Sequence, residues 1–529
     1  MSIRRFAIST LLLMVAGLFV RLLGFGYRIF LSNAIGAEGV GLYQLVTPLY
    51  SMIVLTLTSG ISITGSRMIA ARFEKNSKYN PNKIVISGLM LASCGGAIAS
   101  ILLLFFASII ANNLIGDSRT LLSVYILIPC IPIVATAAAF KGYFYGIQRV
   151  GPAAVAQVVE QITRILFVAI FAMSAMNMGL EYVCAIAVGA AALGEAANLA
   201  VLFGVYKFYN RKPKLKSKET FRKITGEMFR GTVPISANRL IISAVATVET
   251  IMLPQFLAMG GMTYPMALAE FGKIVGMAMP LIYFPSLVTS SLSTSLVAEI
   301  SGKMAVGKKG IVNSRISKSI AITFMIGILF TFVFLALPKQ IGDLAFQSFD
   351  IGNTLSLIAY SCTFIYLQQT LMGALNGLGQ QSQVLINTMV GFGVRIACIC
   401  LLVPRNGVAG YAFGIFLSGL IVCTLCIKDV AKATKLKVDF VNWLIKPLVA
   451  GLGIWYCIPQ NIAFINMLMP NFSPKLVTLV IIFVSCVEYI LLLLLLGMKN
   501  YLAQSAKRKY NKGKNFQIEG VDSNDNNYT

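Results

Sequence analysis

Histidine is absent from all 529 residues of the chain, and acidic residues are scarce, with 19 Asp and Glu. The absence of histidine excludes histidine metal sites, histidine general bases and histidine proton relays. The sequence also lacks a P-loop that could hold nucleotide phosphates. We therefore expect no cofactor, no metal centre and no enzymatic reaction.

Hydrophobic residues, by contrast, make up 57% of the chain, and the mean hydropathy is +0.79. Apolar runs of roughly 20 residues, long enough to cross a bilayer, recur from one end to the other. Fourteen such runs are centred near residues 18, 56, 98, 132, 165, 194, 245, 282, 327, 364, 394, 418, 456 and 486. The first run is too long and too charged to be a cleaved signal peptide. The sequence therefore predicts an all-α polytopic membrane protein with about 14 transmembrane helices.

The positive charge is distributed unevenly between the two sides of the predicted membrane. Of the 44 Lys and Arg, 34 fall on the side that holds the N-terminus, four fall in the opposite loops and six lie inside spans. Such an excess marks the cytoplasmic side, so we predict a multi-pass protein of the cytoplasmic membrane with both termini in the cytoplasm. The net charge of +25 is then explained by topology and by contact with anionic membrane lipids, and we expect no nucleic acid partner.

The helices divide into two blocks of six followed by two more. The predicted parts are an N-lobe (1–209), a basic cytoplasmic linker (210–231), a C-lobe (232–427), a basic loop with helices 13 and 14 (428–497) and a cytoplasmic tail (498–529). A shift of 231 residues places Gly142 on Gly373 and Gly146 on Gly377, and it also aligns Arg164 with Arg395. The same shift places Thr58, Ser59 and Ser62 on Thr289, Ser290 and Ser293. The two lobes are therefore interpreted as parallel repeats, a plan in which the substrate site lies between the halves near the midplane.

Two short patterns invite other interpretations. Cys423 and Cys426 have a metal-site spacing but stand alone in an apolar run, so they are interpreted as small apolar filler. The glycines from Gly36 to Gly41 resemble a dinucleotide-binding loop, but no strand precedes them, and that reading is discarded.

Arg21 and Arg28 lie inside the first apolar run, and they are the most informative pair in the sequence. Seven residues are almost two helical turns, so both guanidiniums share one face, about 10 Å apart along the axis. A charge at membrane depth costs at least ~2.5 kcal/mol, and arginine cannot release its proton to avoid this cost. Either Arg28 reaches the outer surface while Arg21 pairs with a buried carboxylate, or both line an aqueous cavity that receives an anion. We favour the cavity, since Gly17 and Gly24 leave room on the same face.

Four further cations lie inside predicted spans, namely Arg164, Arg239, Lys273 and Arg395. Arg164 follows Glu160 by four residues and is expected to form an intrahelical ion pair with it. Lys273 follows Glu270 by three residues and can pair likewise. Arg239, Lys273 and Arg395 stand at staggered depths, so an anion crossing the membrane would meet them in turn. They join Arg21 and Arg28 as predicted substrate-binding residues.

Two acidic residues inside predicted spans, Glu249 and Glu195, are considered as sites that could couple transport to an ion gradient. Glu249 has no cation three or four residues away on its helix. It is therefore expected to be protonated or to hold a cation, and we predict it as the ion-coupling residue for Na⁺ or H⁺, with a structural hydrogen bond as the alternative. Glu195 sits among small residues, where helix packing is the expected role.

Two segments carry a family resemblance. Arg21-Leu-Leu-Gly24-Phe-Gly-Tyr-Arg28 with the following Gly36-x-x-Gly39-x-Gly41-x-Tyr43, and Phe140-Lys-Gly-Tyr-Phe-Tyr-Gly146-x-x-Arg149, resemble polysaccharide and lipid-II flippases of the multidrug/oligosaccharidyl-lipid/polysaccharide exporter superfamily. The resemblance covers nearly all of residues 1–500 and implies a 6 + 6 + 2 helix plan. It also implies that helix 1 and helix 8 cations face a lipid diphosphate. This chain has Gly272-Lys273 where the family has an Asp-Arg pair, so the charge is kept while the bidentate grip is not.

Together with the buried cations, the resemblance implies a flippase that moves an undecaprenyl-diphosphate-linked glycan outward by alternating access. The resemblance implies that this lipid-linked oligosaccharide is a peptidoglycan precursor, with spore cortex formation as one setting. A cation-coupled multidrug exporter of the same superfamily is the alternative, but it would need an acidic cavity. A membrane-embedded glycan-modifying enzyme is the third interpretation, and the usual catalytic residues for it are absent.

Overall fold

The computed structural model describes residues 3–75, 81–176, 178–209, 220–305, 307, 309–348, 350–436, 438–468, 471–499 and 501. Among them there is no β-strand, and nearly all are helical. The α-helices are α1 Ile3–Lys75, α2 Asn82–Ile109, α3 Leu121–Gly146, α4 Gly151–Met176, α5 Leu180–Tyr209, α6 Phe221–Met259, α7 Tyr264–Phe271, α8 Met279–Tyr283, α9 Ser286–Ala305, α10 Lys309–Ala336, α11 Pro338–Phe346, α12 Ile351–Ala359, α13 Cys362–Gly377, α14 Gln381–Thr434, α15 Lys446–Leu468 and α16 Pro474–Leu495. Segments of π-helix run over Ile110–Ile115, Gly272–Ala278 and Val441–Ile445.

Eleven of the described helices are long and apolar enough to cross a membrane. Two of them, within α1 and α14, have 57 and 54 residues, and each covers two of the predicted spans. The predicted span near residue 364 falls on α12 and α13, which are shorter and are not among the eleven. The all-α polytopic fold is confirmed, and the exact number of 14 spans stays a prediction.

Glycines interrupt both of the long helices. Gly36 in α1 has φ 67° and Gly407 in α14 has φ 55°, the left-handed region that a Cβ atom disfavours. Beside the first bend, the Arg119 guanidinium contacts the carboxylates of Glu38 and Asp117, each at 2.8 Å. The glycine pattern that resembled a dinucleotide-binding loop is therefore a bend between two helical segments, and the ion pairs of Arg119 stabilise it.

The repeat detected in the sequence recurs in the packing of the helices. A Cβ atom added at Gly142 would lie 2.9 Å from the carbonyl oxygen of Ser62, and one added at Gly373 would lie 3.0 Å from that of Ser293. Gly146 and Gly377 likewise meet Ile69 and Ile300, with added Cβ atoms 2.7 and 2.9 Å from theirs. All four pairs obey the 231-residue shift. Each of the two predicted lobes therefore contains the same close glycine contact between its second and fourth predicted helices.

The chain forms two compact units, Met1–Leu281 with Arg395–Tyr411, and Ile282–Val394 with Ala412–Thr529. In the first unit, Phe140, Tyr143 and Phe144 of α3 enter the core beside Tyr206. Arg149 lies 4.8 Å over the ring of Tyr209. The Phe140–Arg149 motif is thus mainly a packing element. In the second unit, Trp443 is buried and donates to Ser317.

Helices extend into both of the predicted basic segments. Residues 221–231, placed in the linker, form the first turns of α6, while residues 210–219 lie outside the described part of the chain. The basic loop predicted to begin at Lys428 begins after Thr434, where α14 ends. Both helix extensions carry basic residues. Such residues fit a helix end that lies outside the hydrocarbon layer of the membrane, because there their charged groups reach water. Of the predicted tail, residues 500 and 502–529 lie outside the described residues.

Candidate functional site

All six predicted site residues lie in the first compact unit. Arg21 and Arg28 belong to the first part of α1, Arg239 and Glu249 belong to α6, and Lys273 lies on the π-helical segment after α7. Arg395 reaches this unit through α14, since residues 395–411 belong to it. The structure places Lys273 and Arg395 in ion pairs with acidic side chains, while Arg21, Arg28 and Arg239 are exposed.

The first part of α1 presents an open cationic face. Arg21 and Arg28 are both exposed, and Arg28 makes no ion pair or hydrogen bond with any described residue. Among the described residues, nothing lies within 4 Å of a Cβ atom added at Gly17 or Gly24. The two glycines, each four residues before an arginine, therefore leave room on the helix surface beside Arg21 and Arg28.

Lys273 is held on an element that packs tightly against α1. Its ammonium lies 2.9 Å from Glu270, as expected from the spacing, and its side chain is 18% exposed. No Cβ atom could be accommodated at Gly272, which meets the backbone of Ala37, or at Gly276, which meets Val40. The extra residue of a π-helical turn re-aims nearby side chains and is frequent at functional sites. Lys273 is therefore fixed in place but partly accessible.

Glu249 is not the unpaired carboxylate that the sequence predicted. Its Oε1 lies 3.0 Å from Nε of Arg395, with side-chain exposures of 9% and 26%. The hydroxyl of Tyr411 is a further hydrogen-bond partner of the same carboxylate. The expectation failed because the cation comes from α14, which spacing along α6 cannot reveal. The predicted coupling role of Glu249 has lost its original motive and remains a prediction.

Glu160 and Arg164 form the predicted intrahelical pair, with Nη2 3.0 Å from Oε1. The structure adds a partner that the sequence did not suggest. Asn198 of α5 donates to the other oxygen, Oε2 of Glu160, at 2.7 Å. The sequence held one signal for this contact, an asparagine within an apolar helix. Asn198 is fully buried, and a buried amide must find a polar partner. Glu195 lies one turn before Asn198 and is 9% exposed.

Residues 7–262 match the family described as polysaccharide biosynthesis protein. The chain is 28% identical to stage V sporulation protein B of Bacillus subtilis over 431 residues, 80% of this chain and 83% of that protein. It is 24% identical to the lipid II flippase MurJ of Bacillus subtilis over 61% of both chains.

A solved structure shows the same fold. The lipid II flippase MurJ in its inward closed conformation superposes with a TM-score of 0.66 at 14% identity, covering 92% of this chain and 97% of that one. The membrane helices and these relatives establish a multi-pass membrane transport protein rather than an enzyme. The chain is therefore similar to flippases and exporters of the multidrug/oligosaccharidyl-lipid/polysaccharide exporter superfamily, and residues 7–262 match the polysaccharide biosynthesis proteins.

Proposed function

We propose that the protein translocates an undecaprenyl-diphosphate-linked glycan precursor of the cell wall, outward across the cytoplasmic membrane, by alternating access. The observation that carries the proposal is the open cationic face of α1, where Arg21 and Arg28 are exposed beside empty space at Gly17 and Gly24. A membrane span keeps such charges only where they meet water, an anion or a counter-ion.

The chemistry of this face suits a diphosphate. Guanidinium groups bind phosphate oxygens through two parallel hydrogen bonds, while an ammonium acts as a point charge. Arg21 and Arg28 would take the diphosphate, and Lys273 would add a partly screened charge, since Glu270 already contacts it. Arg239 and Arg395 remain predicted contacts along the route, although the Glu249 pair competes for Arg395.

The relatives favour a peptidoglycan precursor. Two of them carry names that refer to lipid II flipping and to sporulation. A precursor that serves the spore cell wall fits both names. A multidrug exporter, the alternative within the superfamily, would bind organic cations, and the exposed arginines of α1 would repel them.

The test is translocation by the purified full-length protein in liposomes, with a fluorescent undecaprenyl-diphosphate-linked disaccharide peptide as substrate. We expect outward movement by the unmodified protein and its loss in the Arg21→Ala, Arg28→Ala double variant. Arg222→Ala is the matched control, because Arg222 is equally exposed but lies in the first turn of α6. Normal transport by the double variant would exclude α1 as the diphosphate site, and transport of organic cations in place of the lipid would support the exporter.

A further inference from the structure

The carboxylates of Glu160, Glu195 and Glu249 all lie largely inside the first unit, and they differ in what neutralises them. Glu160 has Arg164 and Asn198, and Glu249 has Arg395 and Tyr411. Glu195 is equally buried, yet its Oε2 atom is sealed from solvent and has no hydrogen-bond donor among the described residues. A buried carboxylate oxygen without a donor is disfavoured, and either protonation of Glu195 or the closer approach of a nearby cation would satisfy it.

The position of Glu195 is fixed by close helix packing. A Cβ atom added at the neighbouring Gly194 would lie 2.9 Å from the backbone carbonyl of Glu160, so α5 approaches α4 at this level. The ionisable groups that interact electrostatically with Glu195 come from three other helices, and they are Tyr50 (α1), Cys130 and Lys141 (α3), and Glu160 and Arg164 (α4). One guanidinium therefore stands near two carboxylates.

The unmet hydrogen-bonding groups in this cluster are complementary. Arg164 has a buried Nε–H without an acceptor, and the fully buried Asn198 has an Oδ1 without a donor. A protonated Glu195 can donate to an amide oxygen such as that of Asn198, whereas an ionised Glu195 attracts the free Nε–H of Arg164. The same side chains thus support two arrangements that differ by one proton.

We propose that Glu195 is a proton-binding site that couples translocation to the proton gradient, an inference that rests on the proposed function. Glu195 takes one proton from the aqueous phase on one side and releases it on the other, and no other bond is formed or broken. The neutral state leaves Arg164 paired with Glu160 alone, and the ionised state draws Arg164 toward α5. Because the two protonation states favour different side-chain arrangements of α4 and α5, proton binding can bias the conformational equilibrium of this unit.

The first test measures the proton itself and is independent of transport. In infrared difference spectra of the full-length protein in lipid nanodiscs, titration with pH should show a protonated carboxylic acid C=O band. We expect this band to disappear in Glu195→Gln, to shift in Glu195→Asp, which keeps the titrating group, and to persist in Glu488→Gln. The control suits the comparison because Asn461 donates to Glu488 at 2.9 Å. Persistence of the band in Glu195→Gln would overturn the proposal.

The second test links the site to movement of the lipid. The unmodified protein should translocate the fluorescent precursor several-fold faster when a pH gradient is imposed across the liposome, whereas Glu195→Gln should give the same rate with and without it. Stimulation by a sodium gradient alone, or full pH stimulation in Glu195→Gln, would contradict a proton site. If no variant moves the lipid while the carboxylic acid band behaves as expected, the proposed function fails and the proton site stands.

Discussion

At the scale of single residues, the Arg395–Glu249 pair is the clearest case of charge compensation inside the membrane. Glu249 is nine-tenths buried, and its carboxylate faces Arg395 and Tyr411. Removing one partner of a buried pair leaves the other charge without compensation, which is far more costly than removing both. The pair therefore ties α6 to α14 within the first unit.

We predict that Arg395→Ala lowers the free energy of unfolding by about 3 kcal/mol, because Glu249 is left buried and uncompensated. The Glu249→Gln, Arg395→Ala double variant should lose clearly less than the sum of its single variants. Thermal melting of the four proteins in detergent, combined as a double-mutant cycle, measures this difference. An unchanged melting temperature for Arg395→Ala would show that the pair contributes nothing.

The coupling role predicted for Glu249 requires a different result, which is measured in transport rather than in stability. If Glu249 carries the coupling cation, Glu249→Gln must abolish the response of translocation to an imposed Na⁺ or H⁺ gradient while binding of the lipid precursor is kept. If Glu249 serves the ion pair alone, the gradient response survives in whatever fraction of Glu249→Gln folds. Comparing Glu249→Gln with Glu195→Gln in the same liposome assay separates the two sites.

Whether a polar contact could be predicted from the sequence depended on how far apart its two residues lie along the chain. Glu160–Arg164 and Glu270–Lys273 were predictable because residues three or four apart share a helix face. The Arg395 partner of Glu249 and the Asn198 partner of Glu160 come from other helices. Their positions depend on how helices pack, which spacing within one helix does not encode.

At the scale of helices, the repeated glycine contacts allow the same substitution to be compared at two equivalent positions. Gly142 and Gly373 each bring one helix onto the backbone of another, and an added Cβ atom would lie about 3 Å from a carbonyl oxygen in both. Backbone cannot move aside as a flexible side chain can. Gly142→Ala and Gly373→Ala should therefore lower the melting temperature and the yield of folded protein to a similar degree, because the two contacts are equivalent in the repeat.

Two other helical glycines supply the controls. Gly204 in α5 and Gly393 in α14 have nothing within 4 Å of an added Cβ atom. Since alanine favours a helix over glycine by up to about 1 kcal/mol, Gly204→Ala and Gly393→Ala should be neutral or slightly stabilising. Equal losses at all four positions would mean that the close contacts are not what makes Gly142 and Gly373 necessary.

Helix boundaries show what hydropathy can and cannot predict. Apolar runs located every long helix, because the bilayer demands about 20 such residues. They did not reveal that two pairs of spans are joined through a single non-helical glycine, Gly36 or Gly407, with helix on both sides of it. A single residue with positive φ turns the chain there, so no polar loop marks the corner.

At the scale of the whole molecule, the topology rests on the excess of 34 cytoplasmic over four external Lys and Arg. The length of one helix in the structure makes this predicted topology testable. Helix α10 has 28 residues from Lys309 to Ala336, which is about 42 Å and enough to cross a bilayer. Lys309 is the first residue of α10, Lys339 lies in α11 just beyond the other end of α10, and both are exposed. If α10 spans the membrane, the two positions face different compartments.

We therefore predict that Lys309→Cys and Lys216→Cys are labelled only from the cytoplasmic side, and Lys339→Cys only from outside. Each is introduced singly after the ten native cysteines have been replaced, and a membrane-impermeant maleimide is added to intact cells or to inverted vesicles. The charge excess predicts the cytoplasmic side for Lys309 and Lys216 together. Labelling of Lys309→Cys and Lys339→Cys from the same side would remove α10 from the membrane. Opposite labelling with all three sides reversed would keep the fold and invert the topology, and the direction proposed for lipid translocation would have to be reversed with it.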